Sequence, residues 1–224
     1  MAKRPAVIAF DVIETLFPLE PMRRRLVDAN LPDHLLELWF ARLLRDAFAL
    51  VASDSYRPFG EIAAAALRST AGSALSGETS QTILAGFAVL DPHPDVEPAV
   101  RMARDGGVRM VTLTNGSARN TTALLQRAGI DGDIEQVLSV DDIQRWKPAA
   151  EIYHHAASRT QVPPDRVALV AAHAWDTHGA HQAGLATGWV ARLEDEFPAI
   201  YATPDVTGRD LVEVVSGLLA LPSE

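Results

Sequence analysis

Apolar positions along this chain fall into short continuous runs in some stretches and into helical spacings in others, and that contrast predicts its architecture. The runs Ala6 to Phe10, Val108 to Thr114, Gln136 to Val140, Val167 to Ala171 and Thr187 to Ala191 are rich in β-branched and aliphatic residues. Runs of that kind predict strands buried on both faces of a parallel sheet. Helical periodicity occupies the intervals from about Glu97 onward, and such strand–helix alternation predicts an α/β fold.

Between Phe17 and Leu90 the pattern changes. Pro18 and Pro21 punctuate the chain, and helical stretches follow with no convincing strand among them. The clearest helix is expected to start after Asp33, read as its N-cap, with Leu35, Leu36, Leu38, Trp39, Leu43, Leu44, Ala47 and Phe48 on a broad apolar face. Two more are expected near Glu61 to Arg68 and Thr79 to Val89, and Asp91-Pro92-His93-Pro94 marks the return to the sheet. The expected organisation is a Rossmann-like α/β parallel-sheet core, residues 1–16 and 92–224, carrying an inserted all-helical cap domain, residues 17–91. A cap inserted directly after the first strand lies over the carboxyl end of the sheet, where parallel sheets bind ligands.

Composition narrows the function. With 224 residues, 48% hydrophobic and 22% charged, the chain is long enough for a large core with an insert. A net charge of −9 argues against nucleic-acid binding, and the basic run Met22-Arg23-Arg24-Arg25 reads as a solvated helix face. The absence of cysteine excludes disulfides, thiolate catalysis and Cys-ligated metal. No signal-type segment or long apolar span is present, so the expectation is a cytoplasmic protein with no membrane partner.

Four places carry candidate chemistry. Asp11 ends the first apolar run, where a carboxylate is a candidate nucleophile or a residue that merely ends the strand and caps a turn. Thr114-Asn115-Gly116-Ser117 ends the second, presenting N–H groups suited to an anion, although the same residues make an ordinary turn. Trp146-Lys147-Pro148 places a lysine at a predicted helix entrance, either functional or simply exposed. The run ending at Ala171 leads into Ala172-His173-Ala174-Trp175-Asp176.

In this order and spacing the four places resemble the haloacid dehalogenase superfamily over nearly the whole chain. Phe10-Asp11 with Thr15-Leu16-Phe17, Leu113-Thr114-Asn115-Gly116-Ser117, Lys147-Pro148 with Tyr153, and Ala174-Trp175-Asp176 are similar to its L-2-haloacid dehalogenase branch. The resemblance implies hydrolytic removal of halide from short 2-haloalkanoic acids. Asp11 would attack the halogen-bearing carbon to give an ester, and water would then hydrolyse that ester. It also implies that Lys147 keeps Asp11 ionised and stabilises the developing oxyanion, and that Asp176 positions Lys147. Thr114, with backbone N–H groups around Asn115 and Ser117, is expected to hold the substrate carboxylate, and Ile13, Phe40, Phe59 and Trp175 to form an apolar wall. Phosphatase members carry a second Asp two residues after the nucleophile, where this chain has Ile13, so neither a metal nor another cofactor is expected. A homodimer is expected from the resemblance alone. A metal-assisted phosphatase and a non-catalytic small-molecule binding relative are the alternatives.

The chain departs from the branch in three places. Phe40 stands where an arginine usually receives the halide, so the ring edges of Phe40 and Trp175 are expected to do so unless Arg42 or Arg45 reaches the site. Ala171-Ala172-His173 replaces the usual Ser-x-Asn, and Glu14 replaces a common Gly. A hydrogen bond from Glu14 to His173 is expected, making a general base for ester hydrolysis. The plain alternatives are an acidic first-turn residue and a structural histidine. His34, His93, His154, His155, His178 and His181 suggest no metal cluster.

Overall fold

Burial on both faces accounts for the first run, which forms β1 (Val7–Phe10) with every residue buried. In the computed structural model, which describes residues 2–72 and 75–223, β1 is followed by α1 (Pro21–Asp28), α2 (Leu35–Ala52), α3 (Phe59–Ala71) and α4 (Gly77–Leu84). Residues 1, 73, 74 and 224, which the expected domains include, lie outside the described residues. Among the described residues no strand interrupts 18–90. The alternating part then runs α5 (Val96–Asp105), β2 (Arg109–Thr114), α6 (Ala118–Ala128), β3 (Gln136–Ser139), α7 (Ala150–Thr160), β4 (Val167–Ala171), α8 (Ala174–Gln182), β5 (Ala186–Val190), β6 (Val206–Gly208) and α9 (Leu211–Leu219).

The six strands pair in parallel in the order β3-β2-β1-β4-β5-β6. The chain winds outward in one direction through β2 and β3 and in the other through β4, β5 and β6, so the strand order reverses between β1 and β4. A crevice opens at such a reversal, outside the carboxyl ends of the strands. Register places Phe10 level with Val170 and Thr112. Asp11 and the loop after Ala171 therefore emerge side by side at the crevice.

Several sequence boundaries shift. The last expected strand begins one residue earlier, at Ala186, and β6 was not anticipated. Asp33 is not the cap of α2: His34 occupies that position without a side-chain cap bond, and the Asp33 carbonyl accepts from Arg23 Nη1 at 2.8 Å. Lys147-Pro148 does not open a helix either, because α7 starts at Ala150. The basic run in α1 is paired, with Arg23 bonded to Glu20 and Glu37, and Arg24 to Asp28.

Within the helical insert, α2 buries Leu36, Trp39, Leu43 and Ala47, while Leu38 remains exposed. Trp39 Nε1 donates to the Ala63 carbonyl at 2.9 Å, which ties α2 to α3 and satisfies the polar end of a fully packed indole. No helix among the described residues is long and apolar enough to cross a membrane.

One glycine sets a close approach that bears on the crevice. A Cβ at Gly179 of α8 would stand 2.6 Å from Pro148 Cβ and 2.7 Å from Tyr153 Oη. Gly179→Ala should therefore destabilise the protein by about 1–3 kcal/mol through overpacking, measured by chemical denaturation. An unchanged unfolding midpoint would contradict so tight a contact.

Candidate active site

Asp11 follows β1, and its backbone N–H donates to the Val170 carbonyl at 2.9 Å, so the β4 edge holds it in place. Its side chain is almost fully buried and meets three donors. Lys147 Nζ donates to Oδ1 at 3.0 Å, while Thr15 Oγ1 at 2.7 Å and His173 Nδ1 at 3.2 Å donate to Oδ2. An ionised carboxylate only accepts, so the facing imidazole nitrogen carries the proton. Lys147 is wholly buried and also donates to Asp176 Oδ2 at 2.7 Å, and Tyr153 Oη donates to Asp176 Oδ1 at 2.6 Å. The Asp176 carboxylate thus holds the lysine from behind.

The charges set the protonation states. Burial alone would raise the Asp11 carboxyl, but Lys147, then His173 and Thr15, outweigh it and hold it far below the usual carboxylate range. Burial lowers Lys147, and the Asp11 and Asp176 charges more than reverse that. Burial likewise lowers His173, against which the Asp11 hydrogen bond and charge raise it above an ordinary histidine. Burial raises Asp176, opposed by Lys147, and burial raises Glu14.

The expected Glu14–His173 hydrogen bond is not formed. Glu14 Oε1 accepts from the Leu19 backbone N–H at 3.0 Å, while His173 turns to Asp11. Asp11 is the stronger partner because it is ionised and almost fully enclosed, whereas Glu14 can cap a local turn. Glu14 still contributes charge near His173, and both side chains line one cavity of about 700 Å³ with His93. Glu14 has φ +68°, a left-handed conformation that costs a side-chain-bearing residue roughly 1–2 kcal/mol. His173 Nε2 is buried and bonds to no other described residue.

The turn after β2 is used in divided fashion. The Thr114 hydroxyl accepts from Gly116 N–H at 2.9 Å, and Asn115 Oδ1 accepts from the Lys147 backbone N–H at 3.1 Å. Ser117 caps α6, accepting from Asn120 N–H at 3.3 Å. Thr114, Asn115 and Gly116 line a small chamber with Asp11, Ile13, Phe40, Leu44, Phe59, His173 and Trp175, whereas Ser117 lines a neighbouring cavity. The chamber measures about 20 Å³, room for about one water molecule.

Phe40 lies 6.2 Å from His173, and Trp175 lies 5.1 Å from it, centroid to centroid. The two nearby arginines do not replace a halide-binding cation. Arg42 donates to the Ser69 carbonyl at 2.9 Å, and Arg45 pairs with Asp46 at 2.7 Å. No grouping of three or more metal-ligating side chains occurs among the described residues.

Thr15, Leu44 and Gly116 were not singled out from the sequence as site residues. The Thr15 hydroxyl accepts from Ala172 N–H at 2.9 Å, which directs its own proton to Asp11. A threonine four residues after the Asp11 carboxylate, within the same turn, was the available signal. Tyr153, quoted only as part of a motif, gains its role through Asp176.

Removing Lys147 would leave two buried carboxylates without their cation, a change that typically costs about 3–5 kcal/mol. In the intact protein Asp11, with its lowered pKa, contributes stability that is present above its unfolded value and is lost as pH falls through the folded one. Without Lys147, burial gains weight and Asp11 binds its proton more readily, so Lys147→Met should lose most stability at neutral pH and recover toward wild type in mild acid. Denaturation curves between about pH 4 and about pH 8 would test this; a deficit independent of pH would count against the charge argument.

Comparison with known proteins identifies the family. The model of the haloacid dehalogenase-like hydrolases matches residues 5–184. An (S)-2-haloacid dehalogenase of Pseudomonas sp. (strain YL) is 29% identical over 204 residues, covering 88% of this chain and 88% of the relative. A crystal structure of an L-2-haloacid dehalogenase gives a TM-score of 0.89 at 26% identity, covering 98% of this chain and 100% of the other. The L-2-haloacid dehalogenase of Xanthobacter autotrophicus with chloropropionic acid covalently bound gives 0.87 at 19% identity, covering 95% and 97%, a likeness of fold. Asp11, Thr114, Lys147 and Asp176 all lie inside the matched span, and the chain belongs to the haloacid dehalogenase-like hydrolases.

Proposed function

We propose that the chain hydrolyses the carbon–halogen bond of 2-haloalkanoic acids, with Asp11 as nucleophile in a core of residues 1–16 and 92–224 beneath a cap of residues 17–91. The observation that carries this reading is a buried carboxylate kept ionised by Lys147, Thr15 and His173 inside a chamber walled by Phe40, Phe59 and Trp175. Exclusion of water leaves that carboxylate poorly solvated and aimed at whatever enters. Ile13 lines the chamber and offers no proton to a leaving group, which suits halide and not an alkoxide leaving phosphorus. The activity named for the Pseudomonas relative supports the same reading.

Asp11 attacks C2 with inversion, the carbon–halogen bond breaks, and halide leaves toward the ring edges of Phe40 and Trp175. Thr114 and backbone N–H groups around Asn115 hold the substrate carboxylate. Ester formation removes the Asp11 charge, the main influence raising His173. Burial then prevails, and the imidazolium releases its proton into the cavity it shares with Glu14. Now neutral, His173 takes a proton from the water that attacks the Asp11 carbonyl, while Lys147 stabilises the oxyanion. Collapse expels the hydroxy acid, which takes its proton from the Asp11 carboxyl, and restores both the carboxylate and the imidazolium. The net change is haloacid plus water to hydroxy acid, halide and one proton.

Single turnover in ¹⁸O-labelled water should place label in the Asp11 carboxylate; label found in the product alone would remove Asp11 as nucleophile. His173→Ala should release one halide per active site and then stall, leaving an adduct on Asp11 visible by mass spectrometry, with hydrolysis slowed by about 10²- to 10⁴-fold. Full multiple turnover by this variant would exclude His173 as the base. In wild type the hydrolytic step should slow as pH falls, because the base must be unprotonated. Activity should persist in excess EDTA, whereas turnover restored only by Mg²⁺ would favour a phosphatase.

A further inference from the structure

The catalytic chamber, at about 20 Å³, holds about one water molecule, so any haloacid bound against Asp11 must extend into adjoining space. Beside it lies a second cavity of about 260 Å³, and Ile13, Phe59, Thr114 and Gly116 line both. Protein interiors hold few voids larger than a water molecule, so a space of this size sharing walls with the Asp11 chamber is informative. Its apolar walls come from both parts of the chain: Phe59, Leu84 and Phe87 from the helical insert and Leu124 from α6. The aromatic wall is fixed, since Phe59 packs edge-on against Phe87 at 5.0 Å and stacks on Trp146 at 6.1 Å.

We propose that this second cavity is the subsite for the C2 substituent, and that the substrate is a 2-haloacid carrying an uncharged apolar group about the size of a phenyl ring or branched alkyl chain. This rests on the dehalogenase reading and specifies its substrate class. With the substrate carboxylate held near Thr114 and Asn115, C2 facing Asp11 and halide leaving toward Phe40 and Trp175, which border the wider cavity on the other side, the remaining substituent is directed past Ile13 and Phe59. The available volume is ample, because an apolar cavity of about 150 Å³ already accepts benzene. Charge is selected against. The Asp141 carboxylate lines the same cavity and holds the Tyr56 hydroxyl, so an anionic substituent would face like charge with no cation lining the space.

The test compares halide release from chloroacetate, 2-chloro-2-phenylacetate and 2-chlorosuccinate, each corrected for its enzyme-free rate. kcat/KM for the phenyl compound should exceed that for chloroacetate by at least about tenfold, since one methylene in an apolar pocket is worth roughly 10- to 200-fold. Chlorosuccinate should be the poorest of the three. Leu84→Trp, at a residue that lines this cavity and not the Asp11 chamber, should reduce the phenyl-to-acetate ratio at least about tenfold, with Asn120→Phe as a second filling variant. A wild-type preference for chloroacetate, or a ratio unmoved in a folded filling variant, would overturn the subsite. Phenylacetate and acetate as binding probes of the wild-type protein give a readout independent of both turnover and variants. Tighter binding of phenylacetate without turnover of any haloacid would sink the dehalogenase reading and keep the subsite, whereas equal binding would sink the subsite.

Discussion

Lys147 is a fully buried cation held between two buried carboxylates, and the site depends on that arrangement. An ammonium without water is sustained only by close opposite charge, and Asp11 at 3.0 Å and Asp176 at 2.7 Å supply it. The same requirement reaches outward. Tyr153 must donate to Asp176, Gly179 must lack a side chain so that Pro148 and Tyr153 can approach α8, and Asn115 must hold the Lys147 backbone. Residues from β1, the turn after β2, the α7 entrance and α8 are thereby brought to one point at the sheet reversal.

His173 occupies the other face of Asp11, and its proton affinity depends on Asp11's charge. In the resting site it is a donor to a carboxylate; with that carboxylate esterified, its burial favours the neutral ring. In the proposed reaction a single side chain therefore supports nucleophilic attack and then activates water without moving far, because the covalent step itself alters its proton affinity. Glu14, in a strained backbone conformation beside the cavity, is placed to influence that proton electrostatically and not as a hydrogen-bond partner.

The parallel core was legible because strands buried on both faces read as unbroken apolar runs, so β4 could be bounded to the residue. β5 slid by one position because such runs lack the alternation that marks register, and β6, with Val206 and Gly208 half-buried and Thr207 exposed, presents no comparable signal. Asp11, His173 and Asp176 were visible as chemistry at or just after strand ends, and Lys147 as a lysine at an expected helix entrance. The direction of the His173 ring was not, since sequence position shows which loops meet but not which of two acids a side chain selects. Thr15 was missed for a related reason: its contact with Asp11 depends on the turn between them, which no periodic pattern encodes.

Along the edge of the second cavity, the insert and the sheet part are tied by Trp146 Nε1 to the Arg57 carbonyl at 2.9 Å, by Tyr56 to Asp141, and by Arg145 to Asp54. Asp54 is exposed, so dissolved ions reach this seam readily, whereas the Lys147 cluster is sealed from them. Ionic strength thus weakens the exposed tie between the two parts while leaving the charges at Asp11 nearly untouched. The hold of the insert on the sheet part and the charge state of Asp11 consequently answer to different properties of the surrounding solution.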